Sequence, residues 1–491
     1  MHESVIVVGG GIGGLTAGAL LSDTHDVTVF EASNEWGGSA GKFSRSDFLF
    51  PVGATLGMGF EKGGVHQKIA EQLHLFFEAT RLDDVMEIHL PNHTPNIVLK
   101  RNRNEHLKQL QQRFPTYHQP LERFFQEIWE MAEEIQYLMQ LMPVMPPKTI
   151  EDLLLLVKAM RVKSLRLSRY FFKTIGDLVK KHGLHTCQPF LIYLDGQLID
   201  SMQTGYEECS ALIGALALDL YHTGAFYVEG GLYQVAEKLV SVIETKGKAY
   251  KRTKIVKAYK EQEKWTVIDR KGNEYLADHL VFNVPLPNIQ EIIGDATFKE
   301  MGARYEKQMT QPMWGTFTLY MAVKREVIPD ETLLFHQVME NDKMDEGNHI
   351  FISISKLGDE KRAPAYGRTV NVSTHTSLSE WMNLSKGEYE AKKKRYVDKM
   401  LRGVKRVFPH IEEGILQLLP GTPKTWETFT SRKNGRVGGY AQTNEQTLFR
   451  ALSHRTKVKG LWICGDSVFP GASTVGVSMS GYHVYKSISH S

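Results

Sequence analysis

Residues 4–21 read SVIVVGGGIGGLTAGALL, and residues 27–31 read VTVFE. The short β-branched apolar run Ser4–Val8 predicts a buried strand, and the apolar pattern of Leu15–Leu21 predicts a helix. Val27–Glu31 predicts a second strand. Strand, glycine turn, helix and strand form a βαβ unit, so these residues predict an α/β fold with a parallel sheet that is buried on both faces.

The glycines between the first strand and the helix fit the pattern G-x-G-x-x-G at Gly9, Gly11 and Gly14, and Gly13 belongs to the same turn. One such glycine permits the tight turn, one lets the backbone approach a pyrophosphate, and one lets helix and strand pack closely. The helix N-terminus then offers free N–H groups to the phosphates. A carboxylate that binds a ribose hydroxyl is expected about 20 residues further on, and Glu31 occupies that place.

This motif alone does not distinguish NAD from FAD. Gly37-Gly38 follows Glu31 after a short spacer and resembles the second glycine pair of the FAD-binding, glutathione-reductase-like group. Near the C-terminus, Leu461–Cys464 predicts a strand that ends in Gly465-Asp466. A second strand–G-x-G-x-x-G–helix unit does not appear in the sequence, so a separate NAD(P)H domain is not expected.

Over nearly its whole length the chain resembles the phytoene desaturase and carotenoid isomerase family of FAD-dependent carotenoid oxidoreductases. Besides the N-terminal unit and Gly37-Gly38, the resemblance rests on residues 48–53 (FLFPVG), 227–233 (YVEGGLY), 465–471 (GDSVFPG) and 474–481 (TVGVSMSG). The element at 465–471 is the most specific of these. The resemblance implies a Rossmann-like, glutathione-reductase-like fold, one bound FAD and a long apolar polyene as substrate.

The resemblance also implies roles for individual residues. It places Asp466 beside the ribityl chain, Val256 against the adenine through its backbone, and Ser39 where the family usually has arginine. The other residues that it brings to the cofactor are Gly38, Gly465, Gly476 and Val477.

No Ser-His-Asp order, H-E-x-x-H motif or clustered Cys/His ligand set appears in the sequence, so neither a catalytic side chain nor a metal site is predicted. The cofactor is then expected to carry the chemistry. The leading hypothesis is desaturation of a carotenoid such as phytoene or diapophytoene, by hydride transfer from an allylic carbon to the flavin, with oxygen or a quinone as acceptor. The alternatives are flavin-dependent carotenoid cis–trans isomerisation, an amine or protoporphyrinogen oxidase, and a flavin-free scaffold that binds prenylated proteins.

Changes in pattern along the chain predict three regions. A discontinuous FAD-binding domain takes residues 1–100, 225–285 and 425–491. It is interrupted by a mixed α+β substrate-binding domain at 286–424 and by a helical lid at 101–224.

The composition limits the class of protein, its partners and its compartment. With 491 residues, 42% hydrophobic and 23% charged, the chain is globular and large enough for several cores. Its net charge of +3 argues against nucleic acid as a partner. The three cysteines form no C-x-x-C pair, which suits a reducing compartment, and no apolar run reaches the ~18 residues of a membrane span. A cytoplasmic, peripherally membrane-associated protein is expected.

The membrane expectation rests on residues 151–175, which are predicted to form one amphipathic helix. Its apolar face consists of Leu153, Val157, Met160, Leu167, Phe171 and Ile175. Its basic face consists of Lys158, Arg161, Arg166, Arg169 and Lys173. Such a helix binds an anionic membrane surface, and together with Leu121–Met142 it is predicted to form a lid around the mouth of a polyene tunnel.

Overall fold

The computed structural model describes residues 2–92 and 95–490. Its central element is a five-stranded parallel sheet with the N-terminal strand in the middle. In spatial order the strands are Lys248–Tyr250, Asp26–Phe30, Ser4–Val8, His279–Phe282 and Leu461–Ile463. Segments far apart in the chain therefore meet in one sheet, which confirms the predicted interrupted, Rossmann-like fold.

Apolar side chains cover both faces of the parallel sheet, which explains the continuous apolar runs of its strands. The helices Ile12–Leu21, Tyr233–Lys246 and Thr474–Ser489 pack on one face. The other face carries the helices Leu286–Glu300 and Ala303–Met309. It also carries a three-stranded antiparallel sheet made of Ile255–Glu261, Lys264–Asp269 and Glu274–Ala277.

A second large sheet has seven strands. Their order is Ile415–Gly421, Trp314–Lys324, Gly367–Ser377, His349–Ile354, Phe335–Met339, Asp84–His89 and Ile97–Lys100. Phe335–Met339 pairs in parallel with Asp84–His89, and the other neighbours are antiparallel. The helix Lys386–Val407 packs on this sheet through a core of its own.

Two segments pack differently from the predicted division of the chain. Asp84–His89 and Ile97–Lys100 belong to the seven-stranded sheet, although the pattern assigns residues up to 100 to the FAD-binding domain. Leu286–Glu300 and Ala303–Met309 share a core with the parallel sheet, although the substrate-binding domain is predicted to start at 286. Strand pairing and packing between distant segments decide both cases, and neither leaves a local signal in the sequence.

Residues 101–224 are mostly helical and share a core with the edge of the seven-stranded sheet. The elements are Arg103–Arg113, His118–Met139, Ile150–Ala159, the 3₁₀ segment Val162–Tyr170, Ile175–Lys181, Gln188–Met202 and Ala211–Thr223. The remaining helices and short strands are Lys42–Arg45, Phe48–Pro51, Gly57–Met58, Val65–Gln72, Ala79–Leu82, Ala225–Val228 and Pro423–Thr430. Within the described ranges, no helix combines the length and the hydropathy that crossing a bilayer requires.

The prediction of one amphipathic helix over 151–175 is wrong. The helix Ile150–Ala159 stops before Met160, because the backbone of Met160 is extended at φ −81° and ψ 145°. The next residue explains the break, because the Arg161 guanidinium donates to both carboxylate oxygens of Glu134, at 2.6 and 3.0 Å. Leu167, which the helical period places beside exposed residues, is buried in the core. A tertiary ion pair and core packing therefore override the local helical period.

Candidate active site

A cavity of about 720 Å³ runs past the carboxyl ends of the parallel strands and reaches the seven-stranded sheet. Ligands of open α/β sheets bind at this edge, and the volume is typical of a ligand site. One part of the cavity wall is formed by the first glycine turn and by Glu31. A second part is formed by Gly465, Asp466 and Val477, and by residues of the seven-stranded sheet. The two parts adjoin, since a Cβ at Gly13 would lie 2.9 Å from the Val477 carbonyl oxygen.

The first glycine turn is tightly packed against the neighbouring strand end. Gly9 has φ 107°, a left-handed backbone, and a Cβ added there would lie 2.6 Å from the carbonyl oxygen of Asn283. A Cβ at Gly14 would lie 2.5 Å from the carbonyl oxygen of Gly9. Only glycine fits either position, and the helix that begins at Ile12 can therefore present its free N–H groups to the cavity.

Glu31 is a buried carboxylate, 7% exposed, in the wall of the cavity. Its Oε2 accepts a hydrogen bond from the Gly10 N–H at 2.7 Å, and its Oε1 accepts one from the Ser33 N–H at 2.8 Å. Burial raises the pKa of this carboxyl above its usual value, and the two N–H groups oppose that shift. Each oxygen keeps a further lone pair, so the carboxylate is held in place with acceptor capacity left for a ligand hydroxyl.

In the second part of the wall, Gly465 adopts φ 94° and donates its N–H to Ser480 Oγ at 2.8 Å. Asp466 Oδ2 accepts a hydrogen bond from the Arg432 guanidinium at 2.5 Å. The helix Thr474–Ser489 begins beside them, and Ser473 Oγ caps it by accepting from the Gly476 N–H at 3.0 Å. This N-terminus brings the positive end of a helix dipole to the cavity.

The structure brings most of the sequence-predicted cofactor residues together. Those in the cavity wall are Gly9, Gly11, Gly13, Glu31, Gly38, Ser39, Gly465, Asp466 and Val477. Gly14 and Gly476 lie directly behind the wall. Gly14 packs against the Gly9 carbonyl, and the Gly476 N–H donates to the Ser473 hydroxyl that caps the helix.

Val256 is the exception among the predicted cofactor residues. Its side chain is 41% exposed at the surface, and Ile255 takes the place in the cavity wall. The predicted contact runs through the Val256 backbone, so the exposure of this residue does not test it.

Asn283 and Arg432 are functional residues that the sequence did not predict. The Asn283 side-chain amide donates to the Gly9 carbonyl at 3.1 Å, and its Oδ1 accepts from Cys464 Sγ at 3.6 Å. It therefore links the first glycine turn to the strand that precedes Gly465. A polar residue directly after the apolar strand His279–Phe282 was the available signal, whereas Arg432 lies in a loop that gives none.

Cys464 is buried beneath the Gly465 turn, and burial raises the pKa of its thiol. It does not belong to the cavity wall as the structure describes it. This position supports a cofactor that is held without a covalent bond to sulfur.

The two parts of the cavity wall match different parts of one dinucleotide. The N-terminal helix and Glu31 suit a pyrophosphate and an adenosine ribose, while Asp466 and the second helix N-terminus suit a ribityl chain and the electron-poor ring that it carries. The residues present therefore fit FAD, and fold and site together define the class of FAD-dependent flavoproteins.

Comparison with known proteins agrees with this class. The family model described as flavin containing amine oxidoreductase matches residues 12–484, and the chain belongs to that family. Its cofactor is accordingly FAD, and the protein is a flavin-dependent oxidoreductase.

Individual relatives confirm the predicted resemblance to carotenoid enzymes. A chloroplastic prolycopene isomerase of Daucus carota is 26% identical, over 97% of this chain and 78% of the relative. A 4,4′-diaponeurosporene oxygenase of Staphylococcus aureus is 20% identical, over 99% of this chain and 97% of the relative. The crystal structure of an oxidoreductase from Methanosarcina mazei superposes with a TM-score of 0.66 at 15% identity, over 98% of this chain and 100% of that one, which supports the fold.

Proposed function

We propose that the protein acts on a long linear polyene of the carotenoid type, with FAD as cofactor. The observation that carries the proposal is the part of the cavity wall that the seven-stranded sheet supplies. Its residues from the seven-stranded sheet and the following helix include Tyr320, Leu419, Pro420, Trp426 and Phe429. A mainly apolar and aromatic wall suits a hydrocarbon, and relatives along nearly the whole chain carry names of carotenoid enzymes.

Two reactions on a polyene fit this site. In cis–trans isomerisation the double bonds change geometry without net oxidation, whereas in desaturation an allylic carbon gives up hydride to the flavin and its neighbour loses a proton. The relatives at 26% identity are named isomerases and those at 20% are named oxygenases. The higher identity to the isomerases favours isomerisation as the first candidate, with the desaturation predicted from the sequence as the second. In the second case oxygen or a quinone would accept the electrons.

Oxidation of an amine is less well supported. An aromatic pair beside the flavin would suit an amine, and the sequence alone assigns neither Trp426 nor Tyr440 to such a pair. Trp426 lines the cavity, but Tyr440 is buried behind its described wall, in the core on the other face of the parallel sheet. The two rings therefore do not face each other across the substrate space.

Pigment analysis distinguishes the two polyene reactions. The chain is expressed in a host that accumulates a poly-cis carotene, and the extracted pigments are compared with those of a host without it. An isomerase changes the retention and spectrum of the carotene at constant mass, whereas a desaturase yields a product lacking two hydrogen atoms. Unchanged pigments in a host that contains the folded, FAD-loaded protein would contradict both.

We also propose that the protein docks on a membrane surface, where such a substrate is dissolved. The support is a set of apolar side chains, each between 37 and 85% exposed, that we call the apolar surface 150–172. Its members are Ile150, Leu153, Leu154, Val157, Met160, Val162, Leu165, Phe171 and Phe172. Contiguous exposed apolar patches mark interaction sites.

Basic side chains are interspersed with this surface. Lys158, Lys163, Arg166, Arg169 and Lys173 are exposed in the same segment. Arg161 is paired with Glu134, so it is not expected to contribute. Apolar and basic groups thus share one exposed segment rather than opposite faces of a single helix, which fits docking on an anionic bilayer.

Replacing Val162, Leu165 and Phe172 together with serine should reduce liposome co-sedimentation by about tenfold or more. Fully burying one large apolar side chain contributes about 1.5–3 kcal/mol, and partial burial of three exceeds the 1.4 kcal/mol that corresponds to tenfold. Binding should also need anionic lipid and weaken with salt.

The matched control is Phe76→Ser with Leu276→Ser, two apolar side chains that are just as exposed but lie outside the segment. This control should sediment like the wild type. If the serine triple variant does so as well, the apolar surface 150–172 does not bind membranes.

A further inference from the structure

Two histidines and a carboxylate from distant segments meet between the helix Gln188–Met202 and the seven-stranded sheet. The strand His349–Ile354 begins with His349, the strand Gly367–Ser377 contains His375, and Asp200 lies near the end of the helix. His349 Nε2 is 3.6 Å from Asp200 Oδ2, and His375 Nδ1 is 3.9 Å from Asp200 Oδ1. Ligand atoms of all three side chains lie within 4.8 Å of one another.

His349 lacks hydrogen-bond partners in this arrangement. Its side chain is 0% exposed, and neither ring nitrogen has a partner among the described residues. The separation from Asp200 is too long for a hydrogen bond, and a buried polar group without a partner costs free energy.

We propose that Asp200, His349 and His375 bind one divalent transition-metal ion of the Zn²⁺ or Fe²⁺ class. Two histidines with one carboxylate form a donor set that both ions use. Metal–ligand bonds of about 2.0–2.2 Å in a tetrahedron place the donor atoms about 3.3–3.6 Å apart. His349 lies 3.6 Å from one oxygen of Asp200 and His375 lies 3.9 Å from the other, so side-chain rotations that bring both rings to one oxygen close the site.

The surroundings of Asp200 support a site with one open position. Gln337 Nε2 donates to Asp200 Oδ2 at 2.8 Å and so fixes the carboxylate, as groups outside a metal's ligands commonly do. Asp200 also lines the flavin cavity, whereas His349 is buried behind it. Three protein ligands leave a coordination position free for water or for a polar atom of a ligand, and Asp200 connects the cluster to the cavity.

A second cluster in the same sheet offers a comparison. Glu87, His89 and His336 also come close together, but their polar atoms have partners. His336 Nδ1 lies 3.4 Å from both Glu87 Oε2 and His89 Nε2, and its Nε2 lies 2.8 Å from the Leu333 carbonyl oxygen. This cluster is satisfied by its own hydrogen bonds, which makes His336 a suitable control.

The test measures metal content and needs no substrate, so it is independent of the proposed reaction. The FAD-loaded protein is stripped with a chelator, dialysed against Zn²⁺, desalted and analysed by elemental mass spectrometry. We expect one Zn²⁺ per chain in the wild type and in His336→Gln. His349→Gln, His375→Gln and Asp200→Asn should each retain less than about a tenth of it. Co²⁺ in place of Zn²⁺ should give visible bands that these same three variants lack.

Flavin absorbance and circular dichroism establish that each variant is folded. If one ligand variant does not fold, the other two and the wild type still decide the outcome. A wild type without stoichiometric Zn²⁺ overturns the proposal. Zn²⁺ that is retained by the folded ligand variants, or that is lost from His336→Gln, also overturns the proposal.

Discussion

Gly9→Ala should yield a protein that no longer retains FAD. A Cβ at this position would lie 2.6 Å from a backbone oxygen that has no freedom to move away. The left-handed backbone at φ 107° adds strain of about 1–2 kcal/mol, and overpacking adds about 1–3 kcal/mol. Since 1.4 kcal/mol is a factor of ten, FAD binding should weaken by about 30-fold or more. The measurement is the ratio of flavin to protein absorbance after gel filtration.

The matched control for Gly9→Ala is Gly272→Ala. Gly272 has a similar left-handed backbone at φ 85°, but nothing lies within 4 Å of an added Cβ. Gly272→Ala therefore has the backbone strain but no steric clash. Gly272 lies in a hairpin turn away from the cavity wall, so this variant should retain its FAD in full. If both variants keep their flavin, the close packing of the first turn is not what holds the cofactor.

Glu31→Ala should weaken FAD binding by about tenfold to a hundredfold in a protein that still folds. A hydrogen bond to a charged group is worth about 1.5–3 kcal/mol, and the substitution removes the ribose acceptor. It also leaves the Gly10 and Ser33 N–H groups without the oxygens they now contact at 2.7 and 2.8 Å, which loosens the turn. Titration of the apo-protein with FAD, followed by flavin fluorescence, gives the ratio of the two dissociation constants.

Glu35→Ala is the control for the loss of a negative charge. Glu35 lines the same cavity four residues further on, but its carboxylate does not hold the glycine turn. Its substitution should leave the dissociation constant near that of the wild type. Equal weakening by both substitutions would mean that the total charge of the cavity rim, not the geometry of Glu31, governs binding.

Much of the nucleotide-binding fold follows from local signals. The strand predicted at Ser4–Val8 has those bounds in the structure, and the helix predicted over Leu15–Leu21 lies within the helix Ile12–Leu21, because both have a strong apolar pattern beside the glycine turn. The helix predicted over 151–175 fails because the pairing of Arg161 with Glu134 is a contact between elements. Likewise, residues 84–100 join the seven-stranded sheet through pairing with Phe335–Met339, which no local pattern encodes.

Some site residues likewise follow from local sequence signals, whereas others come together only through packing. Glycine spacing and Glu31 identify one end of the site, since a phosphate turn requires those residue types at that spacing. Arg432 and the cluster of Asp200, His349 and His375 could not be predicted, because their members approach one another only after two sheets and a helical layer have packed. Each of these histidines, taken alone in the sequence, looks like an ordinary core or surface residue.

The flavin site is proposed to serve a polyene rather than an amine. The most direct measurement incubates the FAD-loaded protein anaerobically with a poly-cis carotene in anionic liposomes, once with oxidised and once with reduced flavin. Parallel reactions contain simple mono- and diamines. Carotene geometry and mass are followed by chromatography, and the flavin by its absorbance. We predict isomerised or desaturated carotene in at least one flavin state and no bleaching by amines. Bleaching of the oxidised flavin by an amine, with the carotene unchanged in both states, would contradict the account.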